Sequence, residues 1–262
     1  MRDIVTRLGA FFVSLLEHMG EVGILIYRTV YSCFKPPFNF RLIVEQIDDI
    51  GFKSIPIVIL SAVAIGMVMV VQLAYGFKKF GAESLVGSLV SFAFITELGP
   101  VLTSLLVGGR VGSGITAEIG SMQVTEQIDA IRTLGADPVK KLVVPRFIAA
   151  IISFPFLTII ADLAGILGAM IMANVELGIT PQLFFSSIVG WIIMADFLRG
   201  ILKTVFFGLM VAIVGCYIGM NAEGGTQGVG RSTTLTVVVS LVLIIVGDFF
   251  LTKLFLILSP TE

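Results

Sequence analysis

Residues 97–146 read ELGPVLTSLLVGGRVGSGITAEIGSMQVTEQIDAIRTLGADPVKKLVVPR. The stretch begins inside an apolar segment, passes through a charged run with helical spacing, and re-enters apolar sequence at Pro145. A bundle of membrane helices needs no such charged helix to stay folded. A membrane protein that must touch a soluble partner does, and the rest of the chain is read around that idea.

Composition sets the class. The 262 residues are 56% hydrophobic and 13% charged, with a mean hydropathy of +1.05. Soluble domains run roughly 45–50% apolar and about 25% charged, so this is an all-α integral membrane protein of one compact domain. A net charge of -1 argues against a nucleic-acid partner. Cys33 and Cys216 fit neither a disulfide framework nor a zinc site. No metal cluster, nucleophile–base pair or paired-carboxylate arrangement is visible, so an enzyme reading of this chain alone is weak. No cleavable leader is expected, because Glu17, His18 and Glu21 interrupt the first apolar stretch.

A membrane span needs about 20 apolar residues. The pattern predicts five, near Ile55–Tyr75, Leu85–Val107, Pro145–Ala173, Gly200–Met220 and Leu235–Leu258. The segment Ile4–Phe34 is broken by Glu17, His18, Glu21 and Arg28, and reads as an interfacial elbow helix. A sixth span is its alternative. Pro36-Pro37 should end that helix, and Asn39–Lys53 should form a small cytoplasmic one. Residues 1–53 thus form an elbow and linker, and 54–262 the transmembrane domain. Pro155 and Asp162 predict a kink or tilt in the long third span. Phe184–Lys203 should begin as an outward-facing interfacial helix that turns into the fourth span.

Basic residues orient the spans. Most of the 17 Lys and Arg fall in the N-terminal segment and the 97–146 stretch. That places the N-terminus and this stretch in the cytoplasm, with Lys78, Lys79, Arg199, Lys203 and Lys253 outside.

Glu97 lies within the second span, and an ionisable group at that depth is costly and faces a cavity or a partner. Its readings are a polar cavity wall or a paired carboxyl that holds the bundle. Pro100 cannot donate a backbone hydrogen bond one turn back, which frees the carbonyl of Thr96. Gln72, Asp162 and Asp248 raise the same question more weakly. The glycines of Gly108–Gly114 lack the Lys-Ser/Thr of a phosphate loop and read as sites of close helix approach. Asn221–Gly230 reads as a turn, with Ser232 or Thr233 capping the last span. The chain therefore has no ATP site of its own.

Ala117–Asp137 reads as one helix ended by Gly135 and Pro138. Glu118, Glu126, Asp129 and Asp137 disfavour a membrane-surface helix, which prefers Lys and Arg. A docking helix for a soluble partner fits better. His18 is too isolated for a metal or acid–base role.

These blocks resemble the MlaE family of permeases, the membrane subunits of bacterial phospholipid ABC transporters that work with mammalian-cell-entry (MCE) proteins. The matching residues are Glu97–Pro100, Gly109-Arg110-x-Gly112, Ala117–Gly120 with Met122, Thr125–Ala130, Asp137-Pro138, Pro145-Arg146, and Gly228–Arg231 with Thr233-Thr234. The resemblance implies a homodimeric permease bound to two cytoplasmic ATPase subunits, which bind the ATP. It also implies a periplasmic MCE-domain protein and phospholipid held between the two permeases. It implies a bacterial inner-membrane location, and a role in outer-membrane lipid asymmetry. It places Glu97 near the lipid. Gln72 joins it as a cavity-wall candidate by its own polarity within a span, and Tyr75 and Phe80 are placed at the outer rim by position alone. The resemblance makes Glu118, Met122, Glu126, Asp129 and Arg132 the ATPase-coupling residues. Where family members often carry Arg before this Glu, the present chain has Thr96. The alternatives are an ion-gradient carrier or channel, a lipid-modifying enzyme, and a structural anchor.

Overall fold

The computed structural model describes residues 2–36 and 39–258, with side chains from residue 13 onward except residue 15. Pro37, expected to help end the first helix, lies outside the described residues. Among them every regular element is helical.

Helix α1 (Arg2–Cys33) ends before Pro36. The charged linker expected at Asn39–Lys53 is the amphipathic helix α2 (Phe40–Ile50). A tight 3₁₀ turn at Phe52–Ser54 joins it to α3 (Ile55–Lys78). Five helical stretches are long and apolar enough to cross a membrane: Phe40–Lys78, Glu83–Val124, Val139–Leu177, Met194–Met220 and Gly225–Leu258. The five spans of the sequence reading all lie within them.

The second stretch is longer than hydropathy implied. Helix α4 (Val86–Ala93) continues through a π-turn at Phe94–Leu98 into α5 (Gly99–Val124). The cause of the π-turn is local. Pro100 has no N–H to return to Thr96, and the register widens so that the Gly99 N–H reaches the Phe94 carbonyl. The glycines of 108–114 therefore lie inside α5 rather than at the end of a span. Their expected role holds: a Cβ on Gly108 would stand 3.1 Å from Val211 Cγ2, and one on Gly112 3.3 Å from Thr236 Cγ2.

The expected single helix Ala117–Asp137 is broken. α5 ends at Val124, Glu126 takes φ 60°, and a short α6 (Gln127–Thr133) follows. Helix α7 (Val144–Leu177), entered through a second π-turn at Val139–Val143, stays one helix through Pro155. Helix α8 (Pro181–Trp191) is capped by Thr180 Oγ1, which accepts from the Leu183 N–H at 3.4 Å. It is the expected helix before the fourth span. Extended residues Ile192 and Ile193 then lead into α9 (Met194–Met220), which starts about 1.7 turns earlier than Gly200. Helix α10 (Gly225–Leu258) likewise begins inside the glycine-rich run expected to be a turn. Thr233 sits inside α10, giving its hydroxyl to the Gly230 carbonyl at 2.7 Å rather than capping the helix.

Helix α7 is the centre of the bundle, with α3, α5 and α9 packed on it. Glycines set these approaches, as small residues do between membrane helices. A Cβ on Gly66 of α3 would stand 2.1 Å from the Gly165 carbonyl oxygen, and one on Gly165 2.2 Å from Phe94 Cζ. Helix α9 comes equally close to the first π-turn, where a Cβ on Gly200 would meet the Ile95 carbonyl oxygen at 2.4 Å.

Candidate functional site

The π-turn, α9 and α10 converge on one charged cluster. Lys203 of α9 is only 2% exposed, and its Nζ lies 2.5 Å from Glu97 Oε2 and 3.0 Å from Asp248 Oδ1. The same ammonium donates to Thr252 Oγ1 at 2.7 Å and to the Thr96 carbonyl at 3.3 Å. That carbonyl is the one Pro100 leaves without an intrahelical donor, so the lysine satisfies a group the sequence marked as orphaned. Thr252 Oγ1 also lies 3.2 Å from Glu97 Oε1. One turn back along α9, Arg199 donates to Asp196 Oδ1 at 3.2 Å.

A cavity of about 260 Å³ opens beside these groups, lined by Phe92, Thr96, Glu97, Asp196, Arg199, Lys203, Thr252, Phe255 and Leu256. Its lining is charged and polar in part, and phenyl and leucyl in part. Glu97 faces it with 39% of its side chain exposed. The paired-carboxyl and cavity-wall readings of Glu97 are thus both realised in one residue.

Of the weaker candidates, Asp248 joins the cluster and Asp162 does not. Asp162 is 4% exposed and packs against Gly99, where an added Cβ would stand 2.9 Å from its carboxyl carbon. Gln72 and Tyr75 are exposed on α3 and Phe80 follows it; none of the three lines the Glu97 cavity within one chain. The Tyr75 ring instead carries Lys79 Nζ 4.8 Å from its centroid.

Lys203 itself escaped the sequence reading, which placed it outside with the extracytoplasmic charges. The structure adds that its side chain is buried in a long apolar helix. Spacing held the signal. Asp196, Arg199 and Lys203 recur at three and four residues along α9, as do Asp248 and Thr252 at four along α10, and such residues share a helix face.

At the other end of α5, the coupling candidates divide. Glu118 is bound within the chain, 2.7 Å from Nη2 of Arg146, which is 4% exposed and also donates to the Leu142 carbonyl at 2.6 Å. Met122 is partly buried against the core. Asp129 and Arg132 form an exposed i,i+3 pair at 2.9 Å. Glu126 stands at the left-handed break, and Leu134 is exposed below it while Ile128 is buried. His18 is 65% exposed, and its Nδ1 lies 2.7 Å from the Tyr217 hydroxyl, which donates to Glu21 Oε2 at 2.6 Å.

A multi-pass helical protein with a buried charge cluster facing an apolar cavity, and a bent charged segment at one end, has the build of a transporter's membrane domain. Comparison with known proteins agrees. Residues 43–254 match the family described as Permease MlaE. The chain is 38% identical over 253 residues to a probable ABC transporter permease protein of Rickettsia bellii, covering 97% of this chain and 98% of that one. It is 39% identical over 216 residues to a probable ABC transporter permease protein of Synechocystis sp., covering 82% of each. It is 35% identical over 235 residues to the Arabidopsis thaliana protein TRIGALACTOSYLDIACYLGLYCEROL 1, chloroplastic, covering 90% of this chain and 67% of that one. The chain belongs to the MlaE permease family of ABC transporters.

Proposed function

We propose that this chain is the permease subunit of an ATP-driven phospholipid transporter of a bacterial inner membrane. Two copies face one another across a lipid cavity, and two cytoplasmic ABC ATPase subunits drive them. Lipid passes between the membrane and a periplasmic MCE-domain protein, which serves outer-membrane lipid asymmetry. The N-terminus lies in the cytoplasm.

The observation that carries this reading is the wall of the Glu97 cavity. A carboxylate 39% exposed at membrane depth cannot face acyl chains at an acceptable cost. It calls for a polar occupant, and Phe92, Phe255 and Leu256 beside it call for an apolar one. A phospholipid supplies both. A second copy of the chain closes the cavity from the bilayer. The Arabidopsis relative's name refers to a glycerolipid, which points the same way. The bent segment around Glu126, with Leu134 exposed beyond it, offers an ATPase an uneven knob rather than a smooth helix.

In operation, nucleotide-driven closure of the ATPase pair pushes α6. Helix α5, 26 residues and therefore about 39 Å long, carries that push to the π-turn that holds Glu97. The test is ATP hydrolysis by the reconstituted complex in proteoliposomes. Phospholipid should stimulate it, and Glu126→Lys should uncouple it. Hydrolysis indifferent to both would overturn the proposal.

A further inference from the structure

We infer that the Glu97 cavity selects lipids whose headgroup carries an ammonium, the zwitterionic ethanolamine and choline phospholipids, over anionic ones. The inference rests on the lipid-transport reading above and goes further, to the class of headgroup.

The charges that the cavity presents decide the headgroup. Lys203 is the obvious anchor for a phosphate, but it is spent. An ammonium has three donors, and four acceptors already crowd this one: Glu97 Oε2, Asp248 Oδ1, Thr252 Oγ1 and the Thr96 carbonyl. At 2% exposure it shows the cavity almost nothing. The Arg199 guanidinium is 32% exposed, but the Asp196 carboxylate 3.2 Å away offsets its charge, so the pair presents the cavity no net positive charge. Thr96 gives its hydroxyl to the Phe92 carbonyl at 2.8 Å and brings no charge.

Glu97 is the reverse case. A carboxylate has about four lone-pair sites, and here Lys203 and Thr252 approach it from the protein side while 39% of the side chain remains open. Among the described residues of the cluster, the carboxylates of Glu97, Asp196 and Asp248 outnumber the cations Arg199 and Lys203 by one. An uncompensated negative charge at membrane depth is best met by a cation from the occupant. The phenyl rings of Phe92 and Phe255, which line the same cavity, add the aromatic faces that attract alkylammonium groups.

The test uses the full chain in complex with its ATPase. The complex is exchanged into nanodiscs containing equal amounts of phosphatidylethanolamine, phosphatidylcholine and phosphatidylglycerol with identical acyl chains. Lipid retained through repurification is identified by mass spectrometry. The two ammonium lipids should exceed phosphatidylglycerol by about fivefold, the scale of one partly exposed ion pair. Glu97→Gln should still hold lipid but lose that preference. Retained lipid with no preference, or a preference that survives Glu97→Gln, overturns the inference and leaves the lipid-transport reading standing. No retained lipid overturns the reading beneath it. If Glu97→Gln does not fold, Phe92→Leu replaces it. There the ratio of phosphatidylcholine to phosphatidylglycerol should fall about two- to fivefold, and an unchanged ratio counts against the inference.

Discussion

Replacing Lys203 by Met removes the centre of the charged cluster while keeping the volume of a long unbranched side chain. Two carboxylates, Glu97 and Asp248, then lose their cation, and Thr252 and the Thr96 carbonyl lose a donor. Removing one partner of a buried pair costs about 3–5 kcal/mol, because the other charge stays buried and unpaired. Glu97 is 39% exposed, so part of its charge is screened and the low end, about 3 kcal/mol, applies. For a chain of this size that corresponds to a melting temperature lower by about 6–12 °C. Thermal unfolding of the purified chain in one detergent would read it. The same reasoning predicts that Lys203→Met combined with Glu97→Gln and Asp248→Asn recovers most of the loss, since no buried charge is then left alone. A fall of under about 2 °C for Lys203→Met, or a triple variant worse than the single one, would refute the view that these charges depend on one another.

Three other substitutions probe separate joints of the fold. Glu118→Gln leaves the Arg146 guanidinium buried without its carboxylate; because Glu118 is 54% exposed, we expect a loss of about 1–2 kcal/mol in chemical or thermal unfolding. Glu126→Gly relieves a side chain held at φ 60° and should stabilise the chain by roughly 0.5–1 kcal/mol, whereas the β-branched Glu126→Val should destabilise it by more; melting curves of the pair give opposite signs if the break is real. Gly165→Leu drives a side chain into Phe94 and, through it, the π-turn, so folded yield measured by size-exclusion chromatography should collapse, while Gly109→Leu, whose Cβ meets nothing within 4 Å, should be tolerated.

How far the sequence leads depends on the range of the interaction. Spans are legible because about 20 apolar residues in a row have one physical solution in a bilayer. Glu97 was legible for the same reason, as a cost that needed a cause. The freed Thr96 carbonyl was legible because Pro100 acts within one turn. Its partner was not, since Lys203 lies 107 residues away and only tertiary packing brings it there. The apparent position of Lys203 near a span end invited a solvated assignment. The break at Thr125-Glu126 was hidden for another reason. Glu and Thr carry no strong turn signal, and the left-handed residue here is a glutamate rather than the glycine that usually marks one. Glu118, read as a docking charge, is also the counterion of Arg146, a pairing that again joins distant segments. Gln72 was raised by its polarity and Tyr75 and Phe80 by position alone, and within a single chain they lie away from the Glu97 cavity.

The central claim is that this permease works as a pair, on two ATPase subunits, with phospholipid between the copies. Native mass spectrometry of the chain, purified in mild detergent from cells that also express its partner genes, tests all three parts at once. We expect a particle of two permease copies and two ATPase chains that releases bound phospholipid on activation. A lone permease, or a self-associated one without ATPase and without lipid, would contradict it.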